Sequence, residues 1–162
     1  MQILITGGLG YIGSHTTVEL LQKGFDVVIV DDLSNSKLNV FDKIKKITGK
    51  NPKLEIIDLK DKIEVEKLFR DFNFDGIIHF AAHKSVNESV NFPEKYFKNN
   101  IGALKNLLEN IDEEMYFIFS SSCTVYGQAD RMPITENFPI KKSESPYGET
   151  KQICEGILKK FI

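Results

Sequence analysis

MQILITGGLGYIGSHT, residues 1–16, is the stretch that decides the fold. Its apolar run, Ile3 to Ile5, breaks off into glycines, and a helical pattern from about Tyr11 to Lys23 follows. Gly7, Gly10 and Gly13 therefore lie between a strand and a helix. Glycines so placed permit a tight turn, close approach of a pyrophosphate to the backbone, and close helix–strand packing. The helix N-terminus adds unpaired N–H groups and a dipole that favours phosphate. A glycine pattern alone is weak; its position after a strand and before a helix gives it weight. Gly24 stands where a left-handed residue is expected to end that helix.

Outward from this stretch, strands and helices alternate. DVVIVD (26–31) is a near-continuous β-branched run, as in a strand covered on both faces. The polar loop DLSNSK leads to an amphipathic helix around Val40 to Ile47. KLEIID reads as a third strand and GIIHFAA as a fourth. Between them DKIEVEKLFRDF reads as a helix, with Ile63, Leu68 and Phe72 at helical spacing. Phe97, Ile101, Leu104, Leu108 and Ile111 form one stripe of a long helix. MYFIFSSS is a fifth strand, and Pro146 to the end is a helix with Ile153, Ile157 and Phe161 in line. This alternation predicts an α/β fold, a parallel sheet with helices on both faces. Residues 1–162 carry no linker, repeat or low-complexity stretch and read as one domain.

Composition narrows the function. A net charge of −2, spread along the chain, leaves no basic footprint for nucleic acid and no polybasic segment for a membrane. No apolar run approaches the ~20 residues of a membrane-spanning helix. MQILITGG lacks the features of a secretory signal. Cys123 and Cys154 make neither a disulfide framework nor a zinc pattern. A reduced, cytoplasmic protein is expected.

Several residues carry chemistry. Asp31 ends the second strand about 20 residues beyond the glycines, where a carboxylate accepts hydrogen bonds from a ribose. It repels the additional phosphate of NADP, and no arginine stands nearby, so NAD is favoured. Asp58 is expected to end the third strand and to reach an adenine amino group. FSSSCTVYG closes the fifth strand and places the hydroxyls of Ser122 and Thr124 beyond a strand C-terminus, where ligands of open α/β sheets bind. Tyr147 and Lys151 are four apart on one helical face. An ammonium beside a phenol favours the phenolate and lowers its pKa from ~10 toward the working pH, as a general base requires. No metal site is expected: His79 and His83 flank a strand end and have no partner ligand at matching spacing. His15, the lysines 43, 45 and 46, and the Cys123 thiol read as packed or solvated residues without a catalytic part.

TGGLGYIGSHT, DDLSNS, HFAAHKSVNESV, YFKNNIGAL, FSSSCTVYG and SPYGETK together resemble the extended short-chain dehydrogenase/reductases. Within them the chain is similar to the branch that epimerises UDP-hexoses at C4. The resemblance runs from Met1 to the last residue. It implies a Rossmann-type sheet, truncated here before its last strands and before a small domain that grips UDP. It implies that Tyr11 and Ile12 face the pyrophosphate, and that Asp31, Asp32, Leu33, Ser34, Asn35 and Ser36 surround the adenosine ribose. Asp58 and Leu59 would meet the adenine. Phe80, Ala81, Ala82, His83, Lys84 and Asn99 would line the rest of the NAD. Lys151 would bind the nicotinamide ribose, and Lys84, Ser122, Thr124 and Tyr147 would reach the UDP-hexose. Related dehydratases carry an acidic pair where this chain has SSCT, which favours epimerisation. Helices around 97–111 and 146–162 form a homodimer interface in that family. A different sugar-nucleotide enzyme, dehydratase or reductase, and a non-catalytic dinucleotide-binding module remain open. The 162 residues alone are expected to bind NAD weakly or not at all, and not to epimerise.

Overall fold

The β-branched runs become the strands of one parallel sheet. The computed structural model describes residues 1–112 and 114–161, so Glu113 and the last residue of the expected C-terminal helix, Ile162, lie outside it. Strands β1 (Gln2–Thr6), β2 (Asp26–Val30), β3 (Lys53–Glu55), β4 (Gly76–His79) and β5 (Tyr116–Phe119) lie in the order β3-β2-β1-β4-β5. Their connecting helices are α1 (Tyr11–Gln22), α2 (Asn39–Thr48) and α3 (Lys62–Asp71). Further on come α4 (Val86–Asn91), α5 (Pro93–Tyr96), α6 (Gly102–Leu108) and α7 (Pro146–Phe161). No helix among the described residues is long and apolar enough to cross a membrane.

The chain divides into two compact units, Met1–Ala81 with Asn106–Ser120, and Ala82–Lys105 with Ser121–Ile162. The first holds the sheet. Ile3, Ile5, Val27 and Ile29 on one face pack with Leu9, Leu21 and Ile44 from α1, α2 and the glycine turn. Leu4, Val28 and Ile77, in register with one another, point the other way and are buried as completely. Burial on both faces explains why these strands read as continuous apolar runs. Helix α1 ends as its sequence suggests: Gly24 takes φ +90°, and the Gly24 and Phe25 N–H groups return to Leu21 and Leu20 carbonyls.

Other expectations are corrected. In α3 the buried residues are Val65 and Leu68. Ile63 is 72% exposed, and Phe72 falls beyond the last helical residue with extended backbone. The helix expected around 97–111 is instead α5, a π-helical turn over Phe97–Ile101, and α6. A π turn adds a residue to the repeat and rotates the face that follows. The buried residues run Tyr96, Asn100, Ala103, Leu104, Leu107 and Leu108, so Leu104 and Leu108 are buried as expected, Phe97 and Ile101 are half-buried, and Ile111 lies past the helix end. On α7 the buried residues are Tyr147, Gly148, Thr150, Lys151 and Cys154, whereas Ile153 and Phe161 are exposed.

Candidate functional site

Unit one presents a cradle where its sheet reverses direction of growth. Strands β2 and β4 flank β1, and in open α/β sheets a ligand crevice opens at such a switch point, past the strand C-termini. The turn leaving β1 is closed to side chains. Gly7 has φ +68°, and a Cβ there would meet the Ala81 nitrogen at 2.8 Å. A Cβ on Gly13 would overlap the Gly7 carbonyl oxygen. Gly10 caps α1 without any side-chain hydrogen bond, and no acidic residue lies in the first turn. The N–H groups at this helix end thus have no side-chain cap, the setting in which helix N-termini accept anions. Tyr11 and Ile12 beside them are 77% and 56% exposed.

Asp31 follows β2 and is buried. Its Oδ2 accepts from the Leu9 N–H at 2.9 Å, and Oδ1 from the Leu33 N–H at 3.0 Å and Ser36 Oγ at 2.6 Å. The carboxylate thereby ties the glycine turn to the 31–36 loop, a task the sequence did not disclose. A carboxylate offers about four lone-pair sites, so Oδ2 keeps capacity for a further donor. Asp32 Oδ1 accepts from the Ser34 N–H and hydroxyl, while Ser34 and Asn35 stay exposed. Asp58 does not end β3, which stops at Glu55. It sits in a turn, its Oδ2 against the Lys60 ammonium at 2.8 Å and Oδ1 on the Lys60 N–H at 2.9 Å. The next residue, Leu59, is buried, and its carbonyl accepts from Asn106 Nδ2 at 2.8 Å.

After β4, Phe80 and Ala81 are half-buried, and the Ala81 N–H donates to Thr6 Oγ1 at 3.3 Å. The same Thr6 hydroxyl shares a hydrogen bond with His79 Nδ1 at 2.6 Å. His79 is buried against the rings of Phe117 and Phe119. It is a core histidine with a satisfied ring nitrogen.

Unit two holds the tyrosine and lysine. Ser145 and Pro146 start α7: Ser145 Oγ accepts from the Gly148 N–H at 3.1 Å, and proline suits the first helical position. Gly148 is the close-approach residue. A Cβ there would overlap Ser143 Oγ and lie 3.2 Å from the Thr124 Cβ and carbonyl. Its absence lets the first turn of α7 lie against the short 3-10 turn Cys123–Tyr126. Ser122 is therefore not the last residue of a strand but the cap of that turn, accepting from the Thr124 N–H at 3.3 Å and hydroxyl at 2.9 Å. Ser122 and Thr124 are brought together with the start of α7.

Tyr147 and Lys151 share the buried face of α7, 9% and 4% exposed. The Tyr147 ring meets Tyr96 edge-on, with centroids 6.5 Å apart. Its hydroxyl makes no hydrogen bond among the described residues, and no fully buried polar atom among them lacks a partner. The phenol oxygen is therefore still reached by solvent. Burial lowers the Lys151 ammonium to about 8, against a smaller raising influence of Cys154. Burial likewise pushes the Cys154 thiol up to about 11. At neutral pH Lys151 remains mostly cationic, with its proton held less firmly than an exposed lysine's.

The residue that organises this unit was missed. Asn100 uses all four of its hydrogen-bonding positions. Oδ1 accepts from the His83 N–H at 2.9 Å and Asn99 Nδ2 at 3.1 Å. Nδ2 donates to the His83 carbonyl and to Thr150 Oγ1, both at 3.0 Å. Thr150 Oγ1 in turn donates to the Tyr147 carbonyl at 2.6 Å. The backbone after Ala82 is thus fixed to α7, and Lys84 is left exposed beside it. A polar residue between Phe97 and Leu104 was the available signal. It reads as surface unless the π turn is foreseen.

A parallel sheet with this strand order and a side-chain-free glycine turn at its switch point define a Rossmann-type α/β protein. The chain belongs to the family described as GDP-mannose 4,6 dehydratase, which matches residues 4–162. It is 47% identical to a UDP-glucose 4-epimerase of Schizosaccharomyces pombe, over 96% of this chain and 45% of that one. With the UDP-glucose 4-epimerase of Bacillus subtilis the identity is 45%, over 98% of this chain and 47% of the relative. Among solved structures it is similar to the UDP-glucose 4-epimerase of Bifidobacterium longum in complex with NAD+ and UDP. There the TM-score is 0.95 and the identity 41%, over 99% of this chain and 48% of that one. The epimerase of Stenotrophomonas maltophila, with bound NAD and formylated UDP-arabinopyranose, gives a TM-score of 0.93 at 42% identity, again over 99% and 48%. The chain spans about half the length of the curated relatives it matches.

Proposed function

We propose that this chain is the NAD-binding and acid–base part of a 4-epimerase that interconverts UDP-glucose and UDP-galactose, as in galactose metabolism. The glycine turn carries this reading, because only backbone can occupy the space at Gly7 and Gly13, while the α1 N-terminus lies open. Gly7, Gly10 and Gly13 with Tyr11 and Ile12 hold the pyrophosphate. Asp31, with Ser34 to Ser36, holds the adenosine ribose through its remaining lone pair. Bound NAD supplies a reversible hydride acceptor for the sugar C4. Tyr147 takes the proton of the 4-hydroxyl, directly or through Ser122, and gives it back when the hydride returns to the other face. The sugar C4–H and O4–H are removed and restored, so net redox is zero. Lys151 supports the phenolate while charged, and Thr124 holds the Ser122 hydroxyl in place. Lys84 is assigned to the substrate side.

Two of the proposed cofactor residues also have partners within the protein. Asp58 spends its carboxylate on Lys60, which leaves less for an adenine. Asn99 Nδ2 donates to Asn100 Oδ1 and keeps its proposed place along the cofactor. Outside the reaction, the free Cys123 and Cys154 thiols accord with a reducing, cytoplasmic compartment. We infer a homodimer through the helices around 97–111 and 146–162, on the support of the exposed Ile153 and Phe161. Light scattering of the full gene product is expected to give twice the monomer mass.

A dehydratase is the second reading, favoured by the description of the matching family. Ser121, Ser122, Cys123 and Thr124 oppose it, since they supply no carboxylate for elimination. Product analysis separates the two. The full gene product incubated with UDP-galactose is expected to yield UDP-glucose; a 4-keto-6-deoxy sugar in its place overturns the epimerase reading.

A further inference from the structure

One polar network within unit two, Tyr96 with Glu88, Ser85 and Lys95, lies outside the residues proposed to hold NAD and substrate. Tyr96 is the largest fully buried side chain, with 0% of its surface exposed. Its hydroxyl donates to Glu88 Oε2 at 2.7 Å and accepts from the Ser85 N–H at 3.1 Å. Glu88 is itself anchored. Its Oε1 takes the Lys95 ammonium at 2.7 Å, and its N–H is capped by Ser85 Oγ at 3.3 Å. The Tyr96 ring cannot tilt or slide without breaking hydrogen bonds at its tip. Its flanks touch the His83 ring, at 5.5 Å between centroids, and the Tyr147 ring, at 6.5 Å and 80°.

We propose that Tyr96, pinned by Glu88 and Ser85, is the positioning residue that sets the ring orientation of Tyr147. The inference rests on the reading of Tyr147 as the acid–base group and concerns only what aims it. The torsion that turns a tyrosine ring is broad and holds no single angle by itself. The Tyr147 hydroxyl makes no hydrogen bond among the described residues, so the orientation must come from the walls around the ring. An edge-on contact has directional preference, and it transmits an angle only if the partner ring is fixed. Hydrogen bonds at the Tyr96 tip provide that fixing. A phenylalanine would fill the same space, and a phenol locked to a lysine-paired carboxylate does more than fill it. Burial and the Glu88 carboxylate also hold the Tyr96 phenol above its ordinary pKa, so Tyr96 stays a protonated donor beside a group that must exchange its proton.

The test is NMR of the 162-residue chain labelled with 13C-tyrosine and uniformly with 15N, in which five tyrosines contribute ring signals and Tyr147→Phe identifies the one of interest. Tyr96→Phe keeps the ring and removes the pin; Glu88→Ala removes the anchor and leaves Tyr96 intact. Both variants are expected to shift and broaden the Tyr147 ring signals while the amide signals of β1 and β2 stay in place. Tyr147 ring signals unchanged in position and width in either folded variant overturn the proposal. If Tyr96→Phe does not fold, Glu88→Ala decides alone. No turnover enters this readout, so a failure of the epimerase reading leaves its result standing.

Discussion

The sheet unit and the unit bearing Tyr147 are built with different emphases. The first is held by apolar burial. Ile3, Ile5, Val27 and Ile29 fill one face, Leu4, Val28 and Ile77 the other, and its glycine turn is specified by steric exclusion. The second buries Leu104, Val125 and Cys154 and adds polar side chains placed one by one: Asn100, Ser145, Thr150, and the Tyr96–Glu88–Lys95 chain. Apolar burial is forgiving of chemistry and demanding of volume. A polar network is the reverse: it fixes geometry while every member stays satisfied, and loses it when one member goes. A rigid seat for a nucleotide suits the first construction. Aiming a phenol and an ammonium suits the second.

The sharpest way to break this contrast is Asn100→Leu. The substitution removes four hydrogen bonds and leaves the His83 N–H and carbonyl and the Thr150 hydroxyl without that partner. The loss of stability is on the order of 4 kcal/mol. Hydrogen exchange is expected to lose protection across α7 and the turn after Ala82, while β1, β2 and β4 keep theirs. Equal loss in both regions would mean the two are not separately built.

Lys151→Met sharpens the contrast through pH. In an unfolded chain the lysine holds its proton to about 10.5, and in the folded protein only to about 8. Between these values the unfolded chain binds more protons, so stability rises with pH. Below about 8 the buried charge is a full liability; above 10.5 it is relieved. The methionine variant is therefore expected to be more stable near pH 7, by up to roughly 3 kcal/mol. That gain shrinks as pH climbs past 8, as urea melts near pH 7 and near pH 10 would register. A constant difference across that range would place the lysine in a solvated setting.

Ser145→Ala is the mildest of the three. It strips the cap from α7 and is expected to lower stability by about 1 kcal/mol, with fraying confined to the first turn that carries Tyr147. Thermal melts followed by circular dichroism would detect it, and an unchanged midpoint would remove Ser145 from the account.

The same contrast explains what could be read from the chain. Strands β1, β2 and β4, the glycine turn and Asp31 were legible because apolar runs, steric need and spacing are properties of neighbouring residues. β3 proved shorter than KLEIID, since only Lys53 to Glu55 find partners on β2. Asp58 was misplaced with it. In unit two, Tyr147 and Lys151 were legible as a spacing. Tyr96, Asn100, Glu88 and Gly148 were not, because their meaning lies in partners from 3 to 51 positions away. The π turn at Phe97–Ile101 carries Asn100 as its buried residue, which no apolar periodicity reports.

The central claim is that Tyr147 exchanges the proton of the sugar hydroxyl. Its most direct test is turnover of UDP-glucose and UDP-galactose by the full gene product and by its Tyr147→Phe variant, with NAD content measured in both. The account predicts a fall of at least roughly 100-fold with NAD retained, and no turnover from residues 1–162 alone. Near-normal turnover in the variant would contradict it.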